Sequence, residues 1–191
     1  MGYLYKALVS VIAAWGVFLT GQVQAQNVAH FNSAELKAMG ANTIALTLHV
    51  NWPQVLHQAL APQMQFRDFL KKYSEYSDIQ LGKEMTRLGG SLTSGAYLGL
   101  PSGARLNFKE WQFPSIPALR ECLKISLMLI DMPTHAQAHL DPVTVSAEAH
   151  SKNALAQVQI QLPKALYPIL VNSKNDNFWL TEQIPLAVIS F

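Results

Sequence analysis

One short segment of the sequence has residue types and a spacing that could bind a metal ion. His135 and His139 are four residues apart, and Asp141 follows two residues later. In a helix two imidazoles at this spacing share one face, and imidazole with carboxylate suits Zn²⁺, Cu²⁺ or Ni²⁺. Pro133 and Pro142 bracket the segment, and in a loop the spacing loses its meaning. The alternative is that these are ordinary surface histidines.

Further ligands for such an ion would have to come from elsewhere in the chain. His150 joins the set if its predicted strand folds back on the segment, and His49 or His57 would approach from the first half. A metal-binding or metal-delivery protein is therefore one functional hypothesis.

Motifs of known catalytic chemistry are missing from the sequence. Residues 89–95, GGSLTSG, come nearest to a nucleophile elbow or a phosphate loop, but their glycine spacing fits neither motif. They follow a predicted helix and precede a predicted strand, so we expect a helix end and a turn. A hydrolase with a dispersed Ser, His and acidic site is a further hypothesis, because sequence order does not restrict such a site.

Cys122 is the only cysteine, so no disulfide can form within the chain. It lies in the helical pattern LRECLKISL, where a small apolar residue is expected to be buried. The alternative is a nucleophilic thiolate, but the local sequence supplies no base for it. We therefore predict an inert thiol.

Four aromatic residues could form a binding surface. Trp111 and Phe113 fall on one side of a predicted strand, and Phe178 and Trp179 lie next to a polar turn. Aromatic side chains are enriched at protein interfaces, although they also cover the core side of sheets. Both interpretations stay open from the sequence.

The first residues follow the pattern of a secretory signal peptide. Lys6 precedes an apolar run over residues 7–19, and Val23, Gln24 and Ala25 provide a cleavage site. The run is shorter than the ~20 apolar residues of a spanning helix, so an uncleaved anchor is the weaker alternative. We predict cleavage after Ala25 and a periplasmic or secreted chain with no stable membrane span.

Residues 26–191 have the length of one domain, and their periodicity predicts an α+β fold. Helices are expected mainly in the N-terminal half and a mostly antiparallel sheet in the C-terminal half. The predicted helices cover residues 33–39, 53–60, 66–76, 78–88 and 117–130. The predicted strands cover residues 42–52, 96–100, 104–112, 143–150, 157–162, 169–171, 178–180 and 186–190.

The charge of the chain argues against nucleic acid as a partner. Fourteen basic residues stand against twelve acidic ones, and no basic run is interleaved with aromatic residues. The leading hypothesis is an exported, non-catalytic accessory or binding module. It would act with other components of the cell envelope, through a sheet edge or aromatic contacts.

Overall fold

The structure, a computed structural model, describes residues 31–130 and 143–191. The predicted signal peptide and the predicted metal ligands His135, His139 and Asp141 lie outside the described residues. Within them the chain forms four α-helices and two β-sheets. The α+β class is confirmed, with helices concentrated in the first half and strands in the second.

The elements run in chain order as β1 (Asn32–Ala38), β2 (Thr43–Val50), α1 (Trp52–Leu60), α2 (Phe66–Ser74), α3 (Asp78–Gly95), β3 (Tyr97–Gly99), β4 (Arg105–Asn107), β5 (Lys109–Gln112), α4 (Ile116–Leu129), β6 (Val143–His150), β7 (Gln157–Gln161), β8 (Ile169–Asn172), β9 (Asn177–Leu180) and β10 (Leu186–Ser190). A single 3₁₀ turn, Lys164–Leu166, separates β7 from β8. Within the described ranges, no helix has the length and apolar character needed to cross a membrane.

The larger sheet has six strands in the order β5-β6-β2-β1-β8-β9, and the smaller has four in the order β10-β7-β3-β4. Every pairing is antiparallel except that of β1 with β8. The sequence predicts one strand over residues 104–112. In the structure this segment forms two strands, β4 in the smaller sheet and β5 in the larger one. Phe108 is buried at this crossing, between β4 and β5.

β2 lies near the centre of the larger sheet, and its side chains alternate as the sequence predicts. Ile44, Leu46, Leu48 and Val50 are each 1% exposed, whereas the residues between them are half-buried. Burial of each such side chain stabilises the fold by roughly 1.5–3 kcal/mol. The buried side of β2 is therefore the core side of the sheet, and the other side is its outer face.

The junction between β2 and α1 is fixed by Trp52. The sequence places this residue at the end of the strand, but it begins the helix, with Pro53 in the first turn and Asn51 as the N-cap. The Trp52 side chain is fully buried, and its indole N–H donates to the Val143 carbonyl at 3.2 Å. It therefore ties α1 to the start of β6.

The remaining helices match the predicted pattern at their starts. Ser77 and Gln80 form a capping box at the start of α3, and Ser115 accepts a hydrogen bond from the Ala118 N–H at the start of α4. Phe69 and Tyr73 on α2 face the interior, because Phe69 is fully buried and Tyr73 is 6% exposed. These aromatic side chains therefore belong to the hydrophobic core.

The helix predicted over residues 33–39 is wrong, because this segment is strand β1. Ala34 and Leu36 are buried while Glu35 and Lys37 are exposed, which is the period of a strand. The residues have good helix propensity, but pairing with β2 on one side and β8 on the other overrides it.

The prediction that α3 ends at Gly89-Gly90 is also wrong, because the helix continues to Gly95. Leu88 and Leu92 are buried on consecutive turns, so the helix is held by packing across the glycines. The Phe113 ring packs over the helix at Gly89, where a Cβ would meet its nearest atom at 3.6 Å, an ordinary van der Waals distance. Tertiary packing therefore decides the helix end.

Candidate interaction surface

The outer face of the six-stranded sheet carries a continuous row of side chains across five strands. Cross-strand register aligns Thr144 of β6, His49 of β2, Ser33 of β1, Leu170 of β8 and Trp179 of β9. All five are half-buried or exposed, in contrast to the core side of the same strands. The row is polar over β6, β2 and β1 and apolar over β8 and β9.

An exposed aromatic pair closes the apolar end of this row. Phe31 and Trp179 pack edge to face with ring centroids 5.3 Å apart, yet they remain 44% and 41% exposed. Phe31 is two residues before Ser33, so it lies on the same outer side, and Leu170 pairs with Trp179. We name Phe31, Leu170 and Trp179 the aromatic corner. Exposed apolar clusters of this kind mark interaction sites.

The four aromatic residues predicted to form a binding surface do not lie together. Trp179 is the exposed member, and Phe178 points to the opposite side of β9 and packs against the core. Trp111 lies in β5, at the far edge of the sheet, and stacks on Phe113, which follows that strand, with ring centroids 5.8 Å apart; both are half-buried against the core.

The sequence did not indicate Phe31 or Leu170 as candidates. Phe31 continues the period-2 pattern of β1, so its side of the sheet could be predicted once that segment is recognised as a strand. Leu170 gives no such signal, because its neighbours β1 and β9 are known only from the sheet order.

A cleft of about 480 Å³ opens at the C-terminal ends of β1 and β8, away from the aromatic corner. It forms because β8 ends at Asn172, opposite Glu35, whereas β1 continues to Ala38. We name it the β1–β8 cleft. Its lining combines apolar side chains with charged ones: Leu36, Ala38, Phe191, Glu35, Lys37 and Lys174. Asn172 and Ser173 complete its wall.

The outer face of the smaller sheet combines the glutamines of β7 with two apolar side chains of β10, because Leu186 pairs with Gln161 and Val188 with Gln159, and these two are 44% and 50% exposed. Gln157 and Gln159 are exposed, and Gln161 accepts a hydrogen bond from the Tyr97 hydroxyl. The guanidinium of Arg105 lies over the Tyr97 ring, 4.4 Å from its centroid. These contacts engage the tyrosine and Gln161 within the sheet.

Of the histidines considered as additional metal ligands, His57 has a backbone partner of its own, and His49 and His150 lie far apart. His57 donates from Nε2 to the Met64 carbonyl at 2.7 Å, within the helical layer. His150 pairs with Thr43, whereas His49 is six residues further along β2, or roughly 20 Å. In the described ranges 31–130 and 143–191, no three His, Cys, Asp or Glu side chains are grouped to hold a metal ion.

Cys122 is half-buried on α4. Burial raises the pKa of its thiol to about 11, because the thiolate would lose its hydration. The thiol is therefore protonated at neutral pH and is a poor nucleophile.

Comparison of the chain with protein-family models, with curated proteins and with solved structures finds no match. Function must therefore be inferred from the geometry of the aromatic corner, the row beside it and the β1–β8 cleft.

Proposed function

We propose that the chain is an exported accessory or binding module that acts with other components of the cell envelope. The observation that carries this proposal is the exposed aromatic pair of Phe31 and Trp179. The partner would be an envelope protein with an apolar patch that covers the aromatic corner. The signal peptide predicted over residues 1–25 supports the envelope as the place of action.

The gain from covering this pair is large enough to anchor an interface. Side chains of this size with about 40% of their surface exposed would each bury roughly 100 Å² on binding. At about 25 cal/mol per Å², each contributes about 2.5 kcal/mol before the costs of association. This is the magnitude of an interface hot spot.

A partner must also be held in one orientation, and the polar side chains of the row can provide this. Ser33, His49 and Thr144 lie beside the corner and carry hydrogen-bonding side chains at half-buried or exposed positions. An apolar centre with a polar margin is the usual anatomy of a protein interface. An exposed sheet face with this pattern suits protein recognition better than enclosure of a small molecule.

Site-specific photocrosslinking in the native envelope tests this proposal. A benzophenone derivative of phenylalanine replaces Phe31, which keeps an aromatic ring in place, and the control carries it at Met128 of α4, which is 63% exposed. We expect a discrete protein adduct from position 31 and none from position 128. An identical adduct pattern at both positions, or none at position 31, would contradict the proposal.

Affinity for the identified partner then measures the contribution of the corner. Trp179→Ser should weaken binding about 30-fold or more, since a loss of about 2 kcal/mol corresponds to that factor. Met128→Ser is the matched control, because it also removes a large exposed apolar side chain. Equal effects of the two substitutions would refute a specific role for Trp179.

A further inference from the structure

We infer that Thr43 is the nucleophile of an acyl-transfer site for small activated esters, with His150 as its base and Glu148 as the group that orients the base. The three side chains lie together on the outer face of the six-stranded sheet, on the neighbouring strands β2 and β6. Thr43 is six residues from His49, or roughly 20 Å along β2, so this site is separate from the row that leads to the aromatic corner. The inference therefore does not rest on the proposed function.

The register of the sheet brings the hydroxyl and the imidazole into contact. Thr43 and His150 lie opposite each other in the ladder between β2 and β6. The Ser151 N–H donates to the Asn42 carbonyl at 2.8 Å, so the next pair along, Thr43 and His150, is a non-hydrogen-bonded pair of the backbone. Side chains are closest in such pairs, and Thr43 Oγ1 lies 3.1 Å from His150 Nδ1.

A carboxylate lies at the other nitrogen of the imidazole ring. Glu148 is two residues before His150 on the same face of β6, and Glu148 Oε2 is 3.3 Å from His150 Nε2. Because a carboxylate only accepts hydrogen bonds, it favours the tautomer with the proton on Nε2, and Nδ1 then accepts from the Thr43 hydroxyl. The other acceptor near this hydroxyl, Asn42 Oδ1, is more distant at 3.5 Å. Nucleophile, base and orienting group therefore stand in the order that activates a hydroxyl.

The reaction that this order supports is transfer of an acyl group from an ester to Thr43 and then to water. Thr43 Oγ1 attacks the carbonyl carbon while its proton passes to His150 Nδ1, and Glu148 stabilises the imidazolium that forms. The bond from the carbonyl carbon to the alcohol oxygen breaks, and the alcohol leaves with the proton from His150. Water then attacks the acyl group and gives a proton to His150 Nδ1, which returns it to Thr43 Oγ1 as the acid is released.

The side chains beside Thr43 leave room for a small acyl group. Ala45 is two residues along β2 on the same face, and its side chain is a single methyl group. On the β1 side the Met39 N–H donates to the Thr43 carbonyl at 2.9 Å, and the Met39 side chain is 58% exposed. An acetyl group on Thr43 therefore has space over Ala45 and an apolar neighbour in Met39.

The charges around the site favour esters with a good leaving group. Exposed Lys37 is a diagonal neighbour of Thr43 in the ladder between β1 and β2, which makes it the cation nearest in register to the oxyanion. Lys109 lies opposite Glu148, and Glu35 is two residues further from Thr43 than Lys37. The oxyanion otherwise faces water, which stabilises it less than a preorganised hole of donors does. The leaving group must therefore lower the remaining barrier.

The pair of His49 and Thr144 is a matched control within the same ladder. It also places a histidine opposite a threonine on the outer face, at the same kind of backbone pair. In the part of the chain that the structure describes, no hydrogen bond joins these two side chains. Their neighbours on that face, Thr47 and Ser146, carry hydroxyl groups instead of a carboxylate. Thr144 therefore lacks the base and the orienting group that Thr43 has.

Acetylation by p-nitrophenyl acetate tests the inference directly. The acetyl group is located by mass spectrometry of peptides, and p-nitrophenolate release is followed by absorbance. The threonyl ester has a poorer leaving group than the reagent, so the adduct accumulates. We expect the label on Thr43 to exceed that on Thr144 at least about tenfold. Equal labelling of the two threonines, or no acetyl group on Thr43, would overturn the inference.

Substitutions assign the three roles, at positions that are half-buried or exposed on the outer face. Labelling at position 43 should disappear in Thr43→Val, persist in Thr43→Ser, and slow at least about tenfold in His150→Gln. Glu148→Gln should slow it about threefold or more, because the imidazolium loses its stabilising charge. His49→Gln is the control and should leave the rate unchanged. Equal rates in His150→Gln and His49→Gln would refute His150 as the base.

The acyl-transfer site and the aromatic corner fail independently in these experiments. Trp179→Ser should leave the acetylation of Thr43 unchanged, and Thr43→Val should leave the photocrosslink from position 31 in place. A missing crosslink with an intact Thr43 adduct would therefore refute only the aromatic corner, and the reverse would refute only the acyl-transfer site.

Discussion

Replacement of Gly90 by alanine should stabilise the protein, although glycine at this point of the sequence suggests a helix end. Gly90 lies inside α3 and is exposed, and a Cβ built on it meets no atom within 4 Å. A glycine in a helix interior costs roughly 0.5–1 kcal/mol relative to alanine, largely because the unfolded chain has more freedom to lose. We therefore expect Gly90→Ala to raise the free energy of unfolding by about that amount.

Urea denaturation and thermal unfolding measure the effect. For a domain of this size, 1 kcal/mol shifts Tm by about 2–4 °C, and the urea midpoint should rise without a change in the m-value. The unchanged m-value matters, because it shows that the substitution alters stability and not the compactness of either state.

Gly95→Ala is the matched control, with the same chemical change in the same helix. A Cβ at Gly95 would lie 3.1 Å from Pro163 Cγ and 3.2 Å from Pro163 Cβ. The proline ring has little freedom to move, so this variant should be destabilised by about 1–3 kcal/mol. A neutral or destabilising Gly90→Ala would mean that α3 does not continue through Gly89-Gly90, and would refute the reasoning.

Three further predictions concern the core, the thiol and the predicted metal ligands. Trp52→Phe should lower the free energy of unfolding by about 2–4 kcal/mol in urea titration, because it opens a gap and leaves the Val143 carbonyl without its donor; a loss below about 0.5 kcal/mol would contradict this. At pH 7.4 a thiol reagent should modify native Cys122 at least about 100-fold more slowly than the unfolded chain, since a pKa of about 11 instead of 9 lowers the thiolate fraction by that factor. The rate should still rise tenfold per pH unit up to pH ~10, and a plateau near pH 9 would refute the raised pKa. If His135 and His139 bind Zn²⁺, Cu²⁺ or Ni²⁺, the metal at 100 times its Kd should add about 2.7 kcal/mol in thermal unfolding, and the double alanine variant should lose this gain; no shift with any of the three would remove the hypothesis.

The sequence was sufficient wherever one short segment contained the whole signal. β2, β6 and β7 each alternate in hydrophobicity, and their burial follows that alternation. The starts of α3 and α4 were predictable from Ser77 and Ser115, because an N-cap acts only on the first helical turn. These signals are local, so no knowledge of the partner strands or helices is needed to interpret them.

The errors occur where distant residues decide the conformation. β1 is held by β8, and the side chain of Asn32 donates to the Leu166 carbonyl across 134 residues of sequence. The alternation of Ala34 and Leu36 is too short to outweigh the helix propensity of their segment. The strand therefore could not be predicted without knowledge of its partner β8. The aromatic corner shares this limit, because Trp179 was a candidate but its companion Phe31 depends on β1 being a strand.

The register of the parallel pairing between β1 and β8 accounts for both the aromatic corner and the β1–β8 cleft. β8 pairs with β1 only from Asn32 to Glu35, which places Leu170 beside Ser33 and brings β9, with Trp179, near Phe31. The same short overlap leaves the last residues of β1 without a partner on that side and opens the cleft. A shift of β8 by two residues toward the end of β1 would preserve the burial pattern, because side chains alternate with period two. It would also narrow the cleft and carry Trp179 away from Phe31. Burial alone therefore does not distinguish these registers, and the observed one is the register that provides both an exposed aromatic pair and an open strand edge.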